Sequence, residues 1–159
     1  MSVAWAHKER GALFAAVAIL APLLGGAIPS VVTAQTAAAE NKQIVVDFYR
    51  TVFVERRVRE GFEKYVVESY VQHNPLVPTG REAAVKLLSE RLRPEGTAEI
   101  KRVIAEGDLV ILHVHSRSNP EDRGRAIVDI FRVVNSKIVE HWDVIQPVPE
   151  TAANNNTMF

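Results

Sequence analysis

From Asn41 onward, apolar residues recur at Ile44, Val45, Phe48, Tyr49, Val52 and Phe53, the three-and-four spacing of one helix face. A second, shorter helix is predicted over Val58 to Tyr70, with Val58, Phe62, Tyr65 and Val66 turned inward and Gly61 weakening it. The stretch Gln72-His-Asn-Pro-Leu-Val-Pro-Thr-Gly80 carries two prolines that exclude regular helix, so it reads as a loop. A third helix opens at Thr79 or Gly80, places Ala84, Leu87, Leu88 and Leu92 inward, and stops before Pro94. From Thr97 the period changes to two. Strands are predicted at about 98–106, 109–117, 124–134 and 137–146, divided by Gly107-Asp108, a polar loop with Pro120 and Gly124, and Asn135-Ser136. Helices followed by an antiparallel meander define an α+β domain, with helices packed on one sheet face.

Within this alternation the ionisable residues stand out. On the second strand Leu109, Ile111, His113 and His115 share a face, opposite Val110, Leu112 and Val114. On the third, Ile127, Asp129, Phe131 and Val133 share one; on the fourth, Val139, His141, Asp143 and Ile145 do. Turned to one side, His113, His115, Asp129, His141 and Asp143 would line a single concavity. A carboxylate taken out of water costs several kcal/mol unless it is paired, hydrogen-bonded or protonated. Desolvation raises a carboxyl pKa and a neighbouring imidazolium lowers it, so such a pair can exchange protons near neutrality, as a general acid/base must. Each histidine taken alone reads first as a satisfied structural residue. Five ionisable groups on adjacent strands favour a site.

The first forty residues stand outside this periodic pattern. Lys8 and Arg10 form a basic start, Gly11 to Pro29 is apolar or small, and Val32-Thr33-Ala34 supplies small residues for cleavage. This is the layout of a secretory signal over 1–34, and Pro22, Gly25, Gly26 and Pro29 argue against a retained membrane anchor. Cleavage would remove two of the 19 basic and one of the 19 acidic residues, leaving 17 and 18. The exported chain, periplasmic or secreted, would stay near neutral. That leaves no basic face for nucleic acid and no membrane association once the signal is gone. Cysteine is absent, which excludes a disulfide scaffold, a thiol nucleophile and a thiolate metal site. The expected organisation is a signal at 1–34, one domain at 41–149 and a tail at 150–159. With its Asn154-Asn155-Asn156 run, the tail is expected to be disordered or laid over a neighbouring subunit.

The order of pieces over about 43–150 resembles the SnoaL-like polyketide cyclase branch of the NTF2-like superfamily. Those pieces are Tyr70-Val-Gln-His-Asn-Pro75, Gly80 opening a helix, His113-Val-His115, Val128-Asp-Ile-Phe-Arg132 and Lys137-Ile-Val-Glu-His-Trp-Asp143. The resemblance implies a cone-shaped α+β barrel and a cofactor-free aldol or isomerase reaction on a small, partly apolar carbonyl compound. Asp129 falls at the position of the family's acid/base and His115 at that of its helper, with His73 and His141 assisting. Asn74, His113, Asp143, Phe131 and Ile145 would contact substrate. Related ketosteroid isomerases carry their base near His73-Asn74, where this chain has no carboxylate. The same register turns His141, Asp143 and Ile145 to the cavity and sets Trp142 behind the sheet, with Trp142 as cavity wall the alternative. A two-His-one-carboxylate metal site from His113, His115 and Asp129 is the rival chemistry. However, Glu121 falls late for a cupin motif and the helical half is wrong for a jelly roll, so no metal is expected. A non-catalytic pocket for a hydrophobic ligand and a homodimer through the outer sheet face complete the readings.

Overall fold

The computed structural model describes residues 30–159. Almost all of the expected export signal therefore lies outside the described residues. Helix α1 runs Ser30–Tyr49, starting before the Asn41 that the pattern predicts, and passes into a π-helical turn over Arg50–Val54. Helix α2 covers Val58–Tyr65 and strand β1 Val66–Gln72; helix α3 covers Arg81–Arg91. Strands β2 (Thr97–Glu106), β3 (Leu109–Arg117), β4 (Arg125–Val134) and β5 (Lys137–Pro147) agree with the alternating pattern to within a residue.

The one misread element is the second helix, whose last residues form β1. Val66 and Tyr70 are both buried and four apart, a spacing that satisfies one helix face and equally alternate positions of a strand. The strand adds to the sheet edge in parallel with β5, so the order is β1-β5-β4-β3-β2 and the sheet is mixed rather than a pure meander. Backbone bonding continues past its end, His73 N–H donating to the His141 carbonyl. The β4–β5 turn is made by Asn135 and Ser136, both at positive φ, the geometry whose twist suits a two-residue hairpin.

The helices cover one face of the sheet, α1 against β2 and β3, α2 and α3 against β1. Between them lies an aromatic core centred on Phe48, whose ring meets Phe62 at 5.1 Å and Phe131 at 5.8 Å, both edge-on. Gly61 lets α2 approach the π-helical turn: a Cβ there would stand 2.5 Å from Val52 Cγ2 and 3.3 Å from Thr51 Cγ2. Val52 is fully buried and stiff at χ1, so it cannot swing aside. Gly61→Ala should therefore lower stability by about 1–3 kcal/mol, beyond the ~0.5–1 kcal/mol helix gain from alanine. A denaturant midpoint equal to or above wild type would contradict this packing.

The tail is placed too. Phe159 folds back over the outer sheet face and stacks on His115 at 4.1 Å and His113 at 5.6 Å.

Candidate functional site

The β-ladder registers decide which side chains meet. On β4 and β5, Asp129 pairs with Asp143, Phe131 with His141 and Ile127 with Ile145, so these six share the inner face. On β3, however, Leu112 is the partner of Asp129, while His113 pairs with Val128 and His115 with Ala126. The inner face of β3 is thus the aliphatic one, Val110, Leu112 and Val114, all fully buried. His113 and His115 are on the outer face, away from Asp129. This corrects the expected five-residue convergence. It also dissolves the His113, His115 and Asp129 metal set, and it leaves the supporting role assigned to His115 without a contact. His113 Nδ1 meets Arg102, and His115 Nε2 meets the Arg123 carbonyl.

His73 is also off the cavity. Its ring lies flat on Trp142 behind the sheet, 4.6 Å away at 5°, and its Nε2 meets Glu140 Oε1 at 2.8 Å. Glu140 binds Arg132 in turn, and Arg132 binds Asp108. The hydrogen bonds from His73, then Arg132, hold the Glu140 carboxyl below its ordinary range. Trp142 thus packs behind the sheet, in the first of its two expected positions.

What the inner face does assemble is a cavity of about 240 Å³ between the sheet and the helices. Its floor is Phe48, Phe62 and Phe131; Leu88 and Val77 close one side, and Ile145 stands at the rim. Two buried polar groups interrupt the apolar lining: Asp129, 7% exposed, and His141, 8% exposed. His141 Nε2 lies 3.0 Å from Asp129 Oδ1, and His141 Nδ1 lies 3.0 Å from Gln72 Oε1. Phe131 tilts against the imidazole at 4.7 Å.

The proton positions follow from these partners. Gln72 Oε1 also accepts the Asn74 backbone N–H at 2.9 Å, so that atom is the amide oxygen, and it requires a proton on His141 Nδ1. With Nδ1 occupied, neutral His141 has only a lone pair on Nε2. A bond to a carboxylate oxygen then needs one additional proton between Nε2 and Oδ1. The buried pair therefore holds one shared proton, as imidazolium with carboxylate or imidazole with acid. Asp129 Oδ2 is buried and has no hydrogen-bond partner among the described residues.

Around this pair stand groups that sequence periodicity counts only as core. The Tyr49 hydroxyl is pushed well above its ordinary pKa, first by burial, then by the charge of the Asp129 carboxylate and a side-chain hydrogen bond to it. Tyr70 is raised for the same reasons, with Asp143 adding to Asp129. Both phenols line the cavity and stay protonated, ready to donate. Gln72 links Tyr70 to His141, donating from Nε2 to the Tyr70 oxygen. The alternation Tyr70-x-Gln72-x-Asn74 was the available signal: Tyr70 was hidden at the end of the helical reading and Gln72 in the loop reading, while Asn74 was expected at the site. Asn74 Nδ2 donates to both oxygens of Asp143, at 2.8 and 2.7 Å, fixing that carboxylate beside the pair. Donor atoms of Asp129, His141 and Asp143 lie within 4.8 Å of one another, close enough to share a cation.

An α+β fold with helices packed on a curved mixed sheet, and a buried carboxylate–imidazole pair in an apolar cavity between them, defines the class. A SnoaL-like domain matches residues 30–141, and the chain belongs to that family. None of the curated proteins compared with the chain matches it in sequence. Solved structures with the same fold include a candidate ketosteroid isomerase from Kribbella flavida, 16% identical, covering 74% of this chain and 85% of that one, TM-score 0.61. A candidate polyketide cyclase from Bacillus cereus is 22% identical over 70% of this chain and 77% of its own, TM-score 0.59. An NTF2-like protein of unknown function from Burkholderia xenovorans is 15% identical over 72% and 89%, TM-score 0.61. At these identities the likeness is one of fold.

Proposed function

We propose that this chain is an exported acid/base enzyme that needs no cofactor and forms an enolate from a small, partly apolar carbonyl compound for aldol closure or isomerisation. The observation that carries the reading is the buried Asp129–His141 pair, 3.0 Å apart at the inner face of the apolar cavity. With the shared proton on His141, Asp129 is the base: it takes the proton beside a substrate carbonyl, and the C–H pair becomes the enolate. Tyr49 and Tyr70 donate to the developing oxyanion. In closure, the enolate carbon bonds to a second carbonyl of the same molecule, that carbonyl's π pair moves to oxygen, and the proton returns there from Asp129. In isomerisation the proton returns to another carbon. His141 replaces His115 as the partner of Asp129, while Asn74 acts through Asp143.

The family membership and the candidate isomerase and cyclase among its structural neighbours support this class of chemistry or a related binding role. The test is proton exchange: a cyclic 1,3-dicarbonyl compound in heavy water, followed by NMR. Wild type should accelerate deuterium uptake beside the carbonyl. Binding without acceleration would make the cavity a hydrophobic ligand site with no chemistry. The cation-sized spacing of Asp129, His141 and Asp143 supports a metal-dependent second reading. Exchange that persists in chelator-treated protein excludes it; exchange restored only by added metal would establish it.

Export rests on the basic, apolar and small-residue order of residues 1–34. The protein recovered outside the cytoplasm should begin after Ala34, and an intact N-terminus there would contradict cleavage. A homodimer through the outer sheet face is supported by Ile104 and Val144, 58% and 65% exposed on that face.

A further inference from the structure

A second, cationic hollow adjoins the cavity. Where β3, β4 and the end of α3 meet, a smaller hollow is lined by Arg56, Arg91, Arg93, Arg117 and Arg125, with no Asp or Glu among its lining residues. In a chain with 19 basic and 19 acidic residues, five guanidinium groups around one opening with no acid among them is a local imbalance. Among the described residues, no ion pair engages any of the five. Arg56 donates to the Gly96 carbonyl. Elsewhere Arg57, Arg59, Arg81 and Arg132 each hold carboxylates, while Arg102 meets His113 instead. Asp122 and Glu99 are the acids that feel this cluster, through Arg125 and Arg117, and each has its own nearer hydrogen-bond donors.

The hollow and the cavity adjoin each other. Phe53, Arg91, Leu92, Ser116 and Arg125 line both. Arg125 and Ser116 are cross-strand partners on the inner face, the face that carries Ile127 and Asp129. Four residue steps along the strand separate Arg125 from Asp129, roughly 13 Å between their backbones. A molecule with its carbonyl at Asp129 and an apolar body along Ile127 and Leu88 would bring its far end to Arg91, Arg125 and the Ser116 hydroxyl. Guanidinium forks suit planar or tetrahedral oxyanions, and unpaired ones beside an apolar cavity select for them.

Resting on the carbonyl chemistry proposed above, we propose that the substrate is an anion: a carbonyl compound with an apolar body whose distal carboxylate or phosphate is held by Arg91 and Arg125. The cluster also draws such anions to the mouth and raises their capture rate at low salt.

The test is calorimetric titration with three probes that share one body: 4-phenylbutyrate, 4-phenylbutyl phosphate and 4-phenylbutanol. In wild type at least one anion should bind about tenfold or more tightly than the alcohol, with a preference that shrinks as salt rises. A stronger carboxylate assigns a carboxylic acid, and a stronger phosphate a phosphate ester. In R91Q/R125Q the anions should fall to within about twofold of the alcohol, whose affinity is unchanged. Equal binding of all three in wild type, no binding of either anion, or a preference that survives in R91Q/R125Q would overturn the proposal. Asp129→Asn separates the two readings: it should slow proton exchange by about 10²–10⁴-fold and keep the anion preference. A wild-type anion preference without any exchange sinks the acid/base reading alone.

Discussion

Replacing Asp129 with Asn is expected to slow deuterium uptake into a 1,3-dicarbonyl probe by about 10²–10⁴-fold, the share of rate that a positioned general base supplies. The loss should come without unfolding. His141 keeps its Nδ1 proton on Gln72, so its Nε2 lone pair can accept an N–H from the new amide in the place of the shared proton. A buried charge disappears with no change in volume, and removing such a charge together with the need for its partner proton is close to neutral for stability. The melting temperature should therefore stay within a few degrees of wild type. A variant that exchanges protons as fast as wild type would mean that Asp129 is a structural acceptor. A variant that is slow and also melted would leave the cause ambiguous, so circular dichroism belongs with the rate measurement.

The largest effect on stability is expected from Phe48→Ala. Phe48 is 2% exposed and its ring makes edge-on contacts with Phe53, Phe62, Tyr65 and Phe131 at 5.1 to 6.5 Å. It joins α1, α2 and β4 at one point. Truncating such a ring costs about 3–5 kcal/mol, a large part of the ~5–15 kcal/mol that holds a domain together. For a chain of this length that corresponds to roughly 6–20 °C in melting temperature. The site should suffer as well, because Phe131 rests on Phe48 on one side and on the His141 imidazole on the other. Calorimetry of the variant checks the first claim; a melting temperature within two or three degrees of wild type would show that the core does not depend on this ring.

How much of this was readable beforehand differs by element. Strands β2 to β5 are rich in β-branched residues with a period near two, and turn residues such as Asn135-Ser136 mark their ends, so their boundaries were legible. The β1 segment was not: Val66 and Tyr70 satisfy two periods at once, and only pairing with β5 resolves them. Alternation also sorts side chains into two faces without saying which face looks inward. On β3 both faces carry large aliphatics, and the choice depends on the Leu112–Asp129 pairing, which is a tertiary fact. Hence His113 and His115 were grouped with Asp129 although they lie behind it, whereas His141 and Asp143 were grouped correctly. Local sequence could not show that His73 prefers the face of Trp142, or that Tyr49 serves the cavity as well as the core. The arginine cluster escaped notice because its members come from four segments spread between residues 56 and 125.

The account depends above all on where the protons of His141 reside. Imidazole nitrogen NMR of the resting protein measures this directly. The expected spectrum shows a permanent, exchange-protected proton on Nδ1 and a second proton shared between Nε2 and Asp129. A neutral His141 with its proton on Nε2 and a bare Nδ1 would make Asp129 a plain acceptor and contradict the proposal.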